Sequence, residues 1–391
     1  MEIKQANQIN IKDAVRLSAE VFNSSFLKES IMKEEQFSYK NIRLLYEGKK
    51  LVSMACVLPR HIYIDGVTVK AAGIAGVATA PDERGKGYAA IITRDALEYI
   101  EKERYALTYL NPYKTSYYKQ FGYSPVMFPF KVIDLPDKLK IQHGYFIKRI
   151  DPMKKSDIKA MAQIHAAFCA DKTGPVARSI NTWILGCKYI EKEGKSEGIG
   201  ISPAYIAYKG RKACGYLLIG PVNHIELNSL KISELCYLPG HEESVNALAE
   251  QAFKYIKQKG LNKIYYDSGE GIEIEGSRNP VKKEVKTYIT PKYIRMYRSG
   301  NFQELKKVII PLVIKRLKKN GIKGVFDIKR TKKNMPGNVS FYHGKKVIAQ
   351  ADEGTLMKMM LGIKYKTSGN SEIIKTAFPM LKPLYMDFDF L

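Results

Sequence analysis

The sequence predicts an α+β fold built from mixed, mostly antiparallel sheets with helices. Strand-like and helix-like apolar periods alternate along the whole 391-residue chain. One order of elements, a strand, a helix, antiparallel strands, a turn and a helix, occurs near the amino terminus and recurs in the middle third. After residue 298 a long helix precedes short strands and short helices. We therefore expect three domains, over residues 1–143, 144–298 and 299–391.

Apolar periodicity assigns the elements of the first domain. A strand over residues 2–6 precedes a helix over residues 11–22, with Asn10 as its expected cap. Strands over residues 42–46 and 51–64 follow. The Asp65-Gly66 pair then predicts a tight hairpin turn before the next strand.

A glycine-rich turn lies between the strand over residues 74–79 and the next helix. Pro81 ends the strand because proline cannot donate to a ladder, and the helix begins after Gly87. Unpaired amides at a helix start bind phosphate, and glycines let the backbone approach a pyrophosphate closely. The charges of Arg84 and Lys86 favour the same ligand. A plain strand-to-helix connection is the alternative interpretation.

The spacing of arginine, glycine and alanine in this turn favours phosphate binding over a plain connection. Arg84, Gly87 and Ala89 form R-x-x-G-x-A after a Val-Ala-Thr-Ala-Pro strand end, which resembles the acetyl-coenzyme A loop of the GNAT N-acyltransferases. It is neither a Walker sequence nor a dinucleotide fingerprint.

A tyrosine-rich segment follows the next predicted strand, over residues 105–110. Its residues 118–123, Tyr-Lys-Gln-Phe-Gly-Tyr, resemble the Tyr-x-x-Phe-Gly-Tyr of the Eis-type (enhanced intracellular survival) acetyltransferases of the GNAT superfamily. The resemblance implies that Tyr118 is the general acid. A phenol with a pKa near 10 is protonated at neutral pH and can donate to a departing thiolate. The alternative is that Tyr118 packs in the core.

The same resemblance implies the contacts of the coenzyme. Val77 and Thr79 would pair with the pantetheine arm as an added strand. Tyr113 and Lys114 would flank the coenzyme. The full set of implied coenzyme-binding residues is Val77, Ala78, Thr79, Arg84, Gly85, Lys86, Gly87, Tyr88, Ala89, Ala90, Tyr113 and Lys114.

The middle third contains a weaker copy of the glycine turn. Residues 234–244 parallel the first turn and lead into a helix, but Gly240 has no partner glycine. Glu242 and Glu243 occupy positions where phosphate needs amides and positive charge. We expect a degenerate second GNAT-like domain that binds no coenzyme and walls the substrate pocket, closed by a strand over residues 288–297.

The last domain resembles the sterol-carrier-like domain that ends Eis-type proteins, although a plain α+β interaction domain explains the pattern equally well. Its end is apolar and aromatic, which predicts a docked tail. In Eis-type enzymes the terminal carboxylate is the general base, so the resemblance places Leu391 in that role. Asp387 and Asp389 are close enough in sequence to act instead.

The composition, 45% hydrophobic and 26% charged, is that of a globular protein. No apolar run is long enough to cross a bilayer and no secretory signal is evident, so we expect a cytoplasmic protein. Five scattered cysteines without a C-x-x-C pair predict buried free thiols, and no metal site is expected.

The formal charge of +25 is concentrated near the carboxyl terminus, where residues 286–391 hold 22 Lys and Arg against 7 Asp and Glu. Neither a recognition helix nor a zinc finger accompanies this charge, so we expect a lysine-rich surface and no nucleic-acid partner.

We therefore expect an N-acetyltransferase that moves acetyl from acetyl-coenzyme A to primary amines of a cationic small molecule, such as an aminoglycoside or polyamine. The resemblance implies a homo-oligomer, usually a hexamer. Three alternatives remain: another acyl-coenzyme A N-acyltransferase acting on a peptide or protein amine, such as the N-myristoyltransferases, a nucleic-acid binder, and a non-catalytic scaffold.

Overall fold

The computed structural model divides the chain into two compact units, each made of two sequence segments. One contains residues 1–127 and 291–381, the other residues 128–290 and 382–391. The structure describes residues 1–23, 38–127, 131–135, 144–151, 154–187, 203–221, 230–266, 274, 277–278, 294–331, 337–369 and 371–381.

The first unit contains a seven-stranded sheet among the described residues. Its pairs are antiparallel except for one parallel pair, β4 with β5, and its order is β1-β2-β3-β4-β5-β14-β6. The strands are β1 (Glu2–Gln5), β2 (Ile42–Glu47), β3 (Lys50–Ile64), β4 (Val67–Thr79), β5 (Leu107–Leu110), β6 (Ser124–Met127) and β14 (Ile294–Ser299).

Helices pack against this sheet through their apolar faces. The helix α1 (Ile11–Phe22) buries Ala14 and Leu17, and α2 (Tyr88–Lys102) buries Ile92, Ala96 and Ile100. These residues recur at helical spacing, so burying one face removes the apolar surface from water. The short helix α3 (Thr115–Lys119) follows β5.

The strand β14 corrects one expectation. A strand over residues 288–297 was expected to close the second domain, but residues 294–299 lie in the first sheet. Tyr297 is paired with Tyr109 of β5 on one side and with Ser124 of β6 on the other. The expectation is wrong because the next strand along the chain is not always the spatial neighbour, and apolar periodicity does not identify the pairing partner.

The second unit repeats the topology of the first. Its described strands are β7 (Lys131–Asp134), β8 (Phe146–Arg149), β9 (Ala204–Lys209), β10 (Lys212–Pro221), β11 (Leu230–Tyr237), β12 (Lys263–Tyr266) and β13 (Ser277–Arg278). They run in the order β8-β9-β10-β11-β12-β7-β13, with β11 and β12 parallel. The helices α4 (Lys155–Cys169) and α5 (Ser244–Gln258) pack on it, and residues 180–187 are also helical.

The two sheets therefore match strand for strand, and each receives its sixth strand from another part of the chain. In the first sheet that strand is β14, and in the second it is β7. The predicted fold class, mixed α+β with mostly antiparallel sheets, is confirmed, and the repeated order agrees with the expected tandem domains.

A third, four-stranded sheet belongs to the first unit. It has the order β15-β16-β17-β18, and all its pairs are antiparallel. Its strands are β15 (Phe326–Arg330), β16 (Asn338–His343), β17 (Lys346–Asp352) and β18 (Ser368–Gly369), and the helices are α6 (Phe302–Lys319), α7 (Glu353–Met360) and α8 (Ser371–Ala377). Phe326, Phe341 and Phe378 form an aromatic cluster in its core. Its likeness to a sterol-carrier domain remains a prediction.

The five cysteines are free and buried, as expected. Among the helices of the described residues, none is both long enough and apolar enough to span a bilayer.

Candidate active site

The strands β4 and β5 diverge within the first sheet. Their parallel pairing covers only Ala71 to Gly73 of β4, whereas β4 continues to Thr79 and remains paired with β3. Beyond Gly73 the other edge of β4 therefore has no strand beside it among the described residues. An open strand edge presents unpaired N–H and C=O groups to a ligand.

The alternation of backbone groups shows which residues face this open edge. The Ala80 amide donates to the Val52 carbonyl at 3.0 Å, and the Ala78 carbonyl accepts from the Ser53 hydroxyl at 2.7 Å. Backbone polar groups alternate between the two edges of a strand. Thr79, between these two residues, therefore directs its own groups away from β3 and toward the opening.

A β-bulge bends β4 at the start of the open edge. Gly76 and Val77 stand opposite the single residue Ala55, and Gly76 has a φ of +57°. A bulge of this kind adds local twist and turns the strand away from its neighbour. The glycine is suited to this position because residues with a Cβ rarely adopt such a φ.

The loop after β4 is exposed and contains two glycines in the left-handed region. Gly85 and Gly87 both have a φ of +83°, and a Cβ on either would meet no atom within 4 Å. Residues 84–87 are exposed, whereas Glu83 before them and Tyr88 after them are buried. The backbone of residues 84–87 is thus exposed to solvent between two buried residues.

The helix α2 begins directly after this loop. Gly87 occupies the N-cap position, and its carbonyl accepts from the amides of Ala90 at 2.9 Å and Ile91 at 3.3 Å. The amides of Tyr88 and Ala89 precede the first helical acceptor, so the helix itself cannot satisfy them. Together with the positive end of the helix dipole they make a site suited to phosphate.

Charges and hydrogen bonds fix both ends of the loop to the turn between β2 and β3. Lys50 donates to Glu83 Oε1 at 2.6 Å and also pairs with Asp82. Tyr88 donates its phenol hydrogen to Glu47 Oε2 at 2.8 Å. The sequence reasoning missed Glu47 and Lys50, because no local pattern reveals what the residues beside a turn contact.

Lys86 is itself paired within the loop. Its ammonium contacts Glu83 Oε2 at 2.6 Å, and this hydrogen bond raises the pKa of Lys86. The pKa of the Glu83 carboxyl is lowered, first by Lys50 and then by Lys86. Lys86 therefore meets an incoming anion while it is bound to a carboxylate, whereas the Arg84 side chain is exposed.

Tyr118 lies on α3 in an aromatic group. Its ring is 4.9 Å from that of Tyr117 and 6.1 Å from that of Tyr123. Burial, and then the neighbouring Tyr117 hydroxyl, raise the pKa of Tyr118 to about 12. The phenol therefore stays protonated throughout the physiological pH range, as a general acid requires.

The hydroxyls of the neighbouring tyrosines have partners. The Tyr117 hydroxyl lies 3.5 Å from Thr93 Oγ1, and the Tyr123 hydroxyl lies 3.0 Å from Thr108 Oγ1. Within the described part of the chain no side chain hydrogen-bonds the Tyr118 hydroxyl, so it can serve a ligand.

The structure brings several predicted site residues to one core cluster. Val77 of β4, Ala90 of α2 and Tyr118 of α3 all pack, partly buried, against this cluster, which includes Ile92. Ala78 is instead buried in a second cluster.

Other predicted residues lie at the surface or outside the described chain. Tyr113 is 94% exposed and Lys114 is exposed beside it, so neither is engaged in the core. Leu391, with the alternatives Asp387 and Asp389, lies outside the described residues.

The corresponding turn of the second unit is organised differently. Gly240 has a φ of +80°, but its amide donates to the Glu242 carboxylate at 3.1 Å. Bonds from the backbone amides of Glu242 and Gly240 lower the pKa of this carboxyl. In this turn a side chain accepts from backbone amides just before the helix. That the second domain is degenerate stays a prediction.

Comparisons with known proteins agree with this geometry. Residues 2–126 match the family model described as Acetyltransferase (GNAT) domain. No curated protein matches the chain.

Three solved structures share the fold of the whole chain. A probable N-acyltransferase from Enterococcus faecalis has a TM-score of 0.66 at 18% identity over 98% of both chains. A GCN5-related N-acetyltransferase from Anabaena variabilis has 0.64 at 17% identity over 99% of both. Eis1 from Mycobacterium abscessus has 0.61 at 12% identity over 99% of both. Residues 2–126 of this chain are therefore similar to a GNAT acetyltransferase domain.

Proposed function

We propose that this protein transfers an acetyl group from acetyl-coenzyme A to a primary amine of a cationic small molecule, of the aminoglycoside or polyamine kind. The observation that carries the proposal is the exposed loop over residues 84–87. Its two glycines hold a positive φ in open space at the start of an α-helix, directly after the open edge of β4.

The proposed donor site follows from that geometry. Residues 85–90 hold the pyrophosphate, which bonds to the amides among them that the helix does not use, and Arg84 and Lys86 add positive charge. The pantetheine arm lies along β4 and bonds to the backbone of Val77 and Thr79, as an added strand does. Tyr113 and Lys114, both exposed, flank the coenzyme.

The proposed reaction is direct attack by the amine. The neutral amine nitrogen attacks the thioester carbonyl carbon, so a C–N bond forms and the C–S bond breaks through a tetrahedral intermediate. Tyr118 gives its phenol proton to the departing thiolate, and the nitrogen loses a proton to a base. The resemblance to Eis-type enzymes makes the Leu391 carboxylate that base, with Asp387 or Asp389 as the alternative. Holding the two reactants together supplies much of the rate, so no protein nucleophile is required.

Two further parts of the proposal come from the resemblance alone. The protein is a homo-oligomer, of six subunits by analogy, and it acts in the cytoplasm.

The test is a thiol-release assay with acetyl-coenzyme A and a panel of polyamines, aminoglycosides and peptides. We expect saturable release of coenzyme A with a cationic amine and an acetylated product by mass spectrometry. A preference for longer acyl donors or for peptide amines would favour another acyl-coenzyme A N-acyltransferase. Binding of the coenzyme without turnover would favour a scaffold.

A further inference from the structure

The charges of the glycine loop cancel within the loop itself. Residues 82–87 contain two carboxylates, Asp82 and Glu83, and two cations, Arg84 and Lys86. The side chains of the loop therefore add no net positive charge to the potential of its backbone amides and of the helix start. Any net positive side-chain charge at this site must come from outside the loop.

Lys50 supplies that missing charge. Lys50 is the first residue of β3, directly after the turn from β2, and its ammonium contacts both loop carboxylates, Glu83 at 2.6 Å and Asp82. These two hydrogen bonds raise the pKa of Lys50, so it remains charged at every physiological pH. With Lys50 included, the group carries a net positive charge.

Lys50 and Lys86 contact the same carboxylate. Glu83 is shared between Lys50, on Oε1, and Lys86, on Oε2. Without Lys50 the whole charge of Glu83 would act on Lys86 and hold it away from an incoming phosphate. With Lys50 present, part of the negative charge of Glu83 is compensated. Less free energy is then needed for Lys86 to leave the Glu83 carboxylate and bind a phosphate oxygen.

We infer that Lys50 is a positioning residue for the donor, which sets the affinity of the loop for the coenzyme phosphates through Glu83 without touching the coenzyme. The inference rests on the proposed function and extends it to a residue outside the motif. Glu47 completes the arrangement from the same turn, because it holds the Tyr88 hydroxyl at the start of α2.

The test compares Lys50→Ala with Lys49→Ala, a matched control that removes the same charge from the neighbouring exposed position. For Lys50→Ala we expect the Kd and KM for acetyl-coenzyme A to rise about tenfold with kcat unchanged. We expect no change in Lys49→Ala and recovery in Lys50→Arg. The Lys50 side chain is 49% exposed, so its removal should leave the fold intact, which circular dichroism checks.

A donor without phosphates separates positioning from a general structural effect. The thioester S-acetyl-N-acetylcysteamine should react equally well with the wild type and with Lys50→Ala, because it makes no phosphate contacts. The difference in Kd for acetyl-coenzyme A should also shrink with added salt, since the effect is electrostatic.

The outcomes distinguish a failure of the proposed function from a failure of the inference about Lys50. If the wild type neither binds nor turns over acetyl-coenzyme A, the proposed function is wrong. If the wild type binds it and Lys50→Ala binds it as tightly, the inference about Lys50 is wrong. Equal losses in Lys49→Ala, or an equal loss with the phosphate-free thioester, would also overturn the inference.

Discussion

The substitution Gly87→Ala tests the phosphate loop directly. Gly87 has a φ of +83°, and an added Cβ would meet no protein atom within 4 Å. The substitution therefore creates no clash in the free protein. Its only cost there is the left-handed backbone, about 1 kcal/mol for a residue with a Cβ.

The coenzyme should respond more strongly than the fold. The new methyl group would occupy space that the proposed pyrophosphate uses to approach the amides of α2. Hydrogen bonds to a charged group contribute about 1.5–3 kcal/mol each, so displacing the phosphate should cost about 3 kcal/mol. That corresponds to roughly a hundredfold rise in the Kd for acetyl-coenzyme A.

The matched control is Gly240→Ala in the second unit. Gly240 has a φ of +80° and equally open surroundings, so the strain is the same. Calorimetric titration with acetyl-coenzyme A should show the affinity loss only in Gly87→Ala, whereas thermal unfolding should show similar small destabilisation in both. Unchanged affinity in Gly87→Ala would refute the placement of the phosphate at this loop.

Three further substitutions test the chemistry and the core. Tyr118→Phe should lower kcat about a hundredfold with little change in the coenzyme KM, and the wild-type kcat should show no loss from Tyr118 ionisation up to about pH 10, because its pKa is about 12. An unchanged kcat would remove Tyr118 as the acid. Glu234→Gln should lower the free energy of unfolding by about 3–5 kcal/mol in urea titrations, because it breaks a buried ion pair with Arg178 and weakens a bond from Tyr216; a loss below about 1 kcal/mol would contradict this. Burial, and then the charge of Arg178, hold the pKa of His165 well below 6.5. His165 therefore takes up a proton more readily in the unfolded chain than in the folded one, so the free energy of unfolding should fall as the pH drops below about 6.5. His165→Phe should flatten that dependence, and an unchanged slope would show that another group causes it.

Local sequence patterns predicted the elements that depend on local chemistry. The Asp65-Gly66 turn was predicted from residues that tolerate a positive φ, and both adopt one, 47° and 80°. The glycine loop was predictable for the same reason. The helix start at Asn10 was also placed correctly, but its side chain accepts from the Asn7 amide at 2.7 Å and does not cap the helix.

Contacts between distant segments could not be predicted. The partner of Glu83 lies more than thirty residues earlier in the chain, and no periodicity relates Lys50 to it. The insertion of β14 beside β5 is a choice among strands with similar apolar patterns. Such choices depend on the packing of the whole unit, which local propensity does not encode.

The position of β14 between β5 and β6 has a consequence for biosynthesis. While the chain leaves the ribosome, β5 and β6 lack the strand that pairs with both of them until residues 294–299 emerge. At 5–20 residues per second, the synthesis from residue 127 to residue 294 takes about 10–30 s. Two strand edges are exposed to other nascent chains during that delay. A gene fragment ending at residue 127 should therefore yield aggregated protein, and co-expression with a fragment that begins before residue 294 should restore solubility.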